Sequence, residues 1–198
     1  MAGETESSPR AAVLAPELTA ARLALLADEA APAVRAAVAA HPNTPAAVLG
    51  RLAADSPAEV LGNPALNLLR LAHPGLLESW PTDAVLRLVA QPIAPDWLRR
   101  YALTHADARF QVTVAAHPAL DGGELHRLAR HPFWQVRARV AARPALSPEL
   151  LTELLGDADY GVRLVLASRP DLPADAAEQL RRDGSLLVRQ AMGQRLLP

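Results

Sequence analysis

The sequence contains no cysteine, which excludes a disulfide, a thiol nucleophile and a cysteine-held metal cluster. Lysine is missing too. All 20 cationic side chains are arginine, set against 21 carboxylates for a net charge of −1. That balance gives no bulk electrostatic signal for nucleic acid, and the missing lysine reads first as coding bias. Aromatic residues are 4% of the chain, and β-branched residues show no strand-like alternation. No uncharged apolar run reaches the ~18 residues that a membrane span requires. The first ten residues, MAGETESSPR, are polar and acidic rather than basic and then apolar, so they do not read as a secretory signal. These absences predict a cytoplasmic, helical protein with no membrane span, metal or cofactor.

What the chain does have is repetition. Phe110, Val136, Val162 and Val188 lie 26 residues apart, and so do Val34 and Val60. Short tandem units at a fixed period stack on one another and do not fold singly. Each unit reads as two short helices. The first carries a buried pair four residues apart: Val34/Val38, Phe110/Val114, Val136/Val140, Val162/Leu166 and Val188/Met192. It stops ahead of a proline (Pro42, Pro92, Pro118, Pro144, Pro170), because the residue before proline is pushed out of the helical region. The second helix opens on Thr44-Pro45 or Ser147-Pro148, a capping hydroxyl before a first-turn proline, or on an Asp121/Glu124 capping box. Its apolar pairs are Leu49/Leu52, Leu125/Leu128, Leu151/Leu154 and Ala177/Leu180, and Gly156 and Gly184 are expected as left-handed stops.

The domain reading is a disordered tail at 1–10 followed by one repeat array over 11–198. Residues 60–83 form an irregular, very apolar unit within it. There Pro64 interrupts the first helix, and His73-Pro74 looks like a displaced copy of its end. In the next unit the second-helix pair slips to Leu98/Tyr101.

Val34–Asp55, VRAAVAAHPNTPAAVLGRLAAD, with degenerate copies from Val136 and Val162, resembles the leucine-rich repeat variant family of bacterial repeat proteins. That family is related in architecture to HEAT and armadillo solenoids. The resemblance covers about 11–59 and 84–198. It implies a curved right-handed superhelix, with α-helices alternating with 3₁₀-like helices, and a scaffold or binding role rather than one shared activity; length and period make the chain a single all-α solenoid of about seven units. Some members carry a cysteine-ligated iron–sulfur module, which a chain without cysteine does not inherit.

No catalytic constellation emerges: there is no GxSxG, no phosphate loop and no HExxH. The position after the anchor repeats as Arg35, Arg137, Arg163 and Arg189, with an acid shortly before the anchor at Asp55, Asp157 and Asp183. Two readings stand open: an Asp–Arg ladder tying unit to unit, or a guanidinium row facing an anionic partner. His41 and His117 share a column with Arg143, Arg169 and Gln91, an interchange that argues against metal ligation and fits a polar group near a helix C-terminus. Trp80, Trp97, Tyr101, Phe133 and Trp134 are candidate partner anchors. The functional expectation is a non-enzymatic scaffold that binds protein on a concave face or at 60–83, with homo-oligomerisation possible through the C-terminal end. The alternative is a nucleic-acid-binding solenoid using the arginine column.

Overall fold

Proline-bounded segments of this length form short helices, and helices are the only regular elements among the described residues. The computed structural model describes residues 18–28 and 31–194, so the expected tail at 1–10 lies outside them. The α-helices are α1 (Ala20–Leu26), α2 (Pro32–Ala40), α3 (Ala46–Leu52), α4 (Pro57–Leu61), α5 (Leu66–Ala72), α6 (Thr82–Val89), α7 (Asp96–Thr104), α8 (Ala108–Val114), α9 (Gly122–Ala129), α10 (Trp134–Ala141), α11 (Pro148–Leu155), α12 (Tyr160–Ala167), α13 (Ala174–Arg181) and α14 (Leu186–Gln194). Among the described residues, none of them is long and apolar enough to cross a membrane. The chain divides into two units, Met1–Arg99 and Arg100–Pro198.

In the second unit the 26-residue brick is regular. The first helices α8, α10, α12 and α14 pack in series, and each of α9, α11 and α13 packs on the first helix that follows it. The anchor pairs Phe110/Val114, Val136/Val140, Val162/Leu166 and Val188/Met192 are all buried. Each such side chain stabilises by roughly 1.5–3 kcal/mol, which isolated two-turn helices cannot supply for themselves.

The second helices correct the sequence reading in three ways. They are α-helical, and the one 3₁₀ helix among the described residues is Leu77–Ser79. Their buried stripe is broader than expected: Leu49/Leu52 and Ala177/Leu180 are buried as expected, Leu150 and Ala176 join one residue earlier, and Leu125 and Leu151 are only half-buried. The glycine stops are not left-handed, since no described residue has positive φ. Gly156 instead closes α11 in a tightened last turn, its N–H donating to the Glu153 carbonyl. The starts behave as expected. Ser147 Oγ accepts from Leu150 N–H with Pro148 in the first turn, and Asp121 and Glu124 form the reciprocal capping box.

The first unit starts from the same brick and departs from it. Thr44 does not cap α3; its hydroxyl donates to the Val38 carbonyl at 2.5 Å, tying the turn back to the end of α2. Helix α4 is one turn short. Asn63-Pro64 follows only three residues after Val60, and Asn63 Nδ2 reaches the Ala39 and His41 carbonyls at 2.8 Å each. The end of this first helix is therefore Asn63-Pro64, and His73-Pro74 terminates α5 instead. Helix α6 packs on both α3 and α4, resuming the stack, while α5 leaves Leu68 and Leu71 about two-thirds exposed.

Candidate functional site

The arginine column is a set of clamps. Arg137 meets Asp157, twenty residues on, through Nε–Oδ2 and Nη2–Oδ1 contacts of 2.7 and 2.8 Å. Arg163 repeats this with Asp183 at 2.7 and 3.0 Å. The remaining nitrogen of each donates to carbonyls five and six residues earlier: Arg137 to His131 and Pro132, Arg163 to Asp157 and Ala158. Each guanidinium thus fastens the turn before its own helix to the turn after the next one. A forked, two-point contact of this kind is the strong form of an ion pair. The carboxylates are almost fully enclosed, with 6% and 7% of the Asp157 and Asp183 side chains exposed. Burial pushes the Asp157 pKa up, but the Arg137 hydrogen bond and the Asp159 N–H outweigh it, so the net shift is downward. The Arg163 hydrogen bond likewise lowers Asp183, and both arginines are raised by their carboxylate partners.

The ends of the column differ. Among the described residues Arg189 keeps only the contacts to the Asp183 and Gly184 carbonyls. Gln111 substitutes for arginine and donates to the His105 carbonyl. In the first unit Arg35 stands 3.8 Å from Asp55, whose side chain is 62% exposed.

A second set of ties went unrecognised in the sequence. Arg143 Nη1 donates to the Ala115 and His117 carbonyls at 2.8 and 2.9 Å. Arg169 Nη1 does the same to Ala141 and Arg143, and its Nη2 reaches the Pro144 carbonyl and Asp171. Asn63 plays this part in the first unit. Where the residue before the turn proline is Asn63, Arg143 or Arg169, it therefore holds the last carbonyls of the preceding first helix, groups that a helix end leaves without partners. At His41 and His117 the ring Nδ1 accepts from the N–H two residues on, and Gln91 donates to the Arg87 carbonyl of its own helix, so the column takes polar groups that serve turns and helix ends. Among the described residues no group of His, Asp or Glu is arranged to hold a metal ion.

The aromatic candidates separate. Trp80 is buried and lies on α3, where a methyl at Gly50 would stand only 2.4 Å from its Cδ1; its surface is spent inside the first unit. Trp97 is half-buried with the Arg70 guanidinium 4.8 Å from its ring centre. Tyr101 is half-buried and edge-on to Phe110 at 5.6 Å. Phe133 and Trp134 are exposed by 54% and 42%, and Tyr160 by 50%.

Trp134, Tyr160 and Leu186 open α10, α12 and α14, one repeat apart, so packing of those helices in series sets them along one edge. Leu187 adds to the edge, and the Trp134 ring lies 3.0 Å from where a Gly161 side chain would begin. The same repeat position in the earlier helices holds Pro32, Ala58, Thr82 and Ala108, none of them large.

Neither a curated protein nor a solved structure matches the chain. The stretches 32–57 and 134–159, each running from the first residue of a first helix through its partner helix, match the family model described as leucine rich repeat variant, and the chain carries repeats of that kind.

Proposed function

We propose that this chain is a non-enzymatic scaffold that binds a protein partner through its repeat surface. The right-handed winding, from the resemblance, and the count of about seven units, from the 26-residue period, come with that reading. The observation that supports it is the edge formed by Phe133, Trp134, Tyr160, Leu186 and Leu187, all at least 42% exposed. Large exposed apolar side chains recurring at one repeat position are more than singly scattered ones, and aromatic anchors dominate binding energy at protein interfaces. The atypical 60–83 segment, with exposed Leu68 and Leu71, is the second surface in this reading.

Affinity capture followed by mass spectrometry tests it. The intact chain should retain a defined protein that a Trp134→Ala, Tyr160→Ala double variant of unchanged helicity loses; capture that ignores both this change and Leu68→Glu, Leu71→Glu would overturn the reading. The nucleic-acid alternative would draw on guanidiniums that in Arg137 and Arg163 are already clamped to carboxylates. A salt titration with labelled duplex decides it, because phosphate contacts weaken steeply with salt.

A further inference from the structure

The turns joining first and second helices at 142–144 and 168–171 border an open groove of about 540 Å³, with walls that include Arg143, Pro144, Val165, Arg169, Pro170 and Asp171. A recess of about 290 Å³ shares Pro144, Arg169 and Asp171 and extends to Ala145, Leu146 and Leu151. The two arginines occupy equivalent places and hold equivalent carbonyls, but their charges are balanced differently. Arg169 Nη2 is 2.7 Å from Asp171. Two residues after Arg143 the equivalent position is Ala145. Among the described residues no carboxylate pairs with Arg143, whose Nη1 alone has acceptors while its Nε is buried without one. Burial lowers its pKa and no neighbouring charge offsets that. A half-buried guanidinium without a counter-ion carries a desolvation cost that an incoming anion offsets.

We propose that this groove is a carboxylate-binding site, taking an acidic side chain of an extended peptide segment. Its carboxylate accepts from the Arg143 guanidinium, and an adjoining apolar residue lies against Pro144, Val165 and Pro170. The charge count favours one carboxylate over a phosphate. Arg169 and Asp171 cancel, Arg143 leaves a single positive charge, and the Asp171 carboxylate repels a dianion. The apolar walls fit a peptide side chain better than a nucleic-acid backbone. The site is separate from the Trp134–Tyr160 edge, so the two readings fail independently.

The test is an NMR titration of the full chain with two blocked peptides, acetyl-Leu-Glu-Val-amide and its glutamine counterpart, following the Arg143 Nε–Hε signal and the Val165 methyls. The glutamate peptide should bind saturably and the glutamine peptide at least ~10-fold more weakly, since a charge-assisted pair is about twice as strong as a neutral one. Ala145→Asp copies Asp171 and supplies Arg143 with an internal counter-ion. It should weaken glutamate-peptide binding ~10-fold or more while helicity is kept, and Arg143→His, the residue found at 41 and 117, should do the same. Equal affinity for both peptides, no response at Arg143, full binding by either variant, or tighter binding of inorganic phosphate or a thymidine oligonucleotide would each overturn the assignment. Trp134→Ala should leave this titration unchanged, which separates it from loss of a captured protein.

Discussion

The two units are made from one brick and hold it together with different force. In the second, the Arg137–Asp157 and Arg163–Asp183 clamps close at 2.7 Å on enclosed carboxylates; in the first, Arg35 and Asp55 stand 3.8 Å apart with the acid largely in water. In the second, Arg143 and Arg169 tie successive first helices; in the first, a shortened α4 brings Asn63 within reach of the same carbonyls. The first unit then gains a contact the regular brick lacks, Trp80 on Gly50. The repeat sequence thus prescribes where a tie is needed, and local insertions or deletions decide which side chain supplies it.

The contrast breaks most sharply at the clamps. Asp157→Asn should destabilise the second unit by about 2–3 kcal/mol, because it strands an enclosed guanidinium, whereas Asp55→Asn in the first should cost under about 0.5 kcal/mol. Hydrogen exchange of the α11 and α3 amides reads the two separately. The same clamps set a pH response. Asp157 and Asp183 have lowered folded pKa values, so their contribution is complete above the ordinary value of 3.8 and is lost as pH falls through the folded values below it. Denaturant titrations taken to low pH should therefore show the second unit losing stability over that range, and Asp157→Asn should flatten the loss.

Gly50→Ala is the next largest effect. It forces a methyl into the Trp80 ring and should cost about 1–3 kcal/mol, with Trp80→Ala removing most of the penalty in a double-mutant cycle. Gly161→Ala, at a second glycine beside a tryptophan, would place a methyl 2.9 Å from the capping Asp159 Oδ1 and 3.0 Å from the half-exposed Trp134 ring, two side-chain ends that can move aside. Thermal melts should show it within about 0.5 kcal/mol of the parent, since better helix propensity offsets the crowding. The cap is a local test within one brick. Ser147→Ala should remove about 1 kcal/mol, restored by Ser147→Asp. The look-alike Thr44 should instead need its hydroxyl for Val38, so Thr44→Ser is tolerated and Thr44→Asp is not.

Much of this is legible in the residues. The anchors at Phe110, Val136, Val162 and Val188 mark the buried stripe because a two-turn helix has few ways to hide a four-residue pair. Asp121/Glu124 and Ser147 announce their helix starts because capping is local. What escapes is whatever depends on a neighbour. The Asp–Arg ladder was one of two open readings, and the choice between them, with each acid meeting the arginine twenty residues earlier, is set by how helices pack in series. Thr44-Pro45 and Ser147-Pro148 look alike, and only the turn geometry distinguishes a tie from a cap. Nothing periodic links Trp80 to Gly50. Trp134 and Tyr160 share a repeat position in the sequence, but that both stand exposed needed the structure.

The clamps and carbonyl ties span 20 to 28 residues, about one brick. Such a chain can be edited in length without being redesigned. A copied 134–159 segment inserted after Asp159 would bring its own arginine and, twenty residues on, its own aspartate. Closure entropy at each step stays that of a short loop, so ordering can begin at any brick and spread, and added copies leave each closure no longer than before. Growth and loss by whole bricks would then leave every tie intact, whereas a helix shortened within a brick, as α4 is, needs a different side chain such as Asn63 to make the tie.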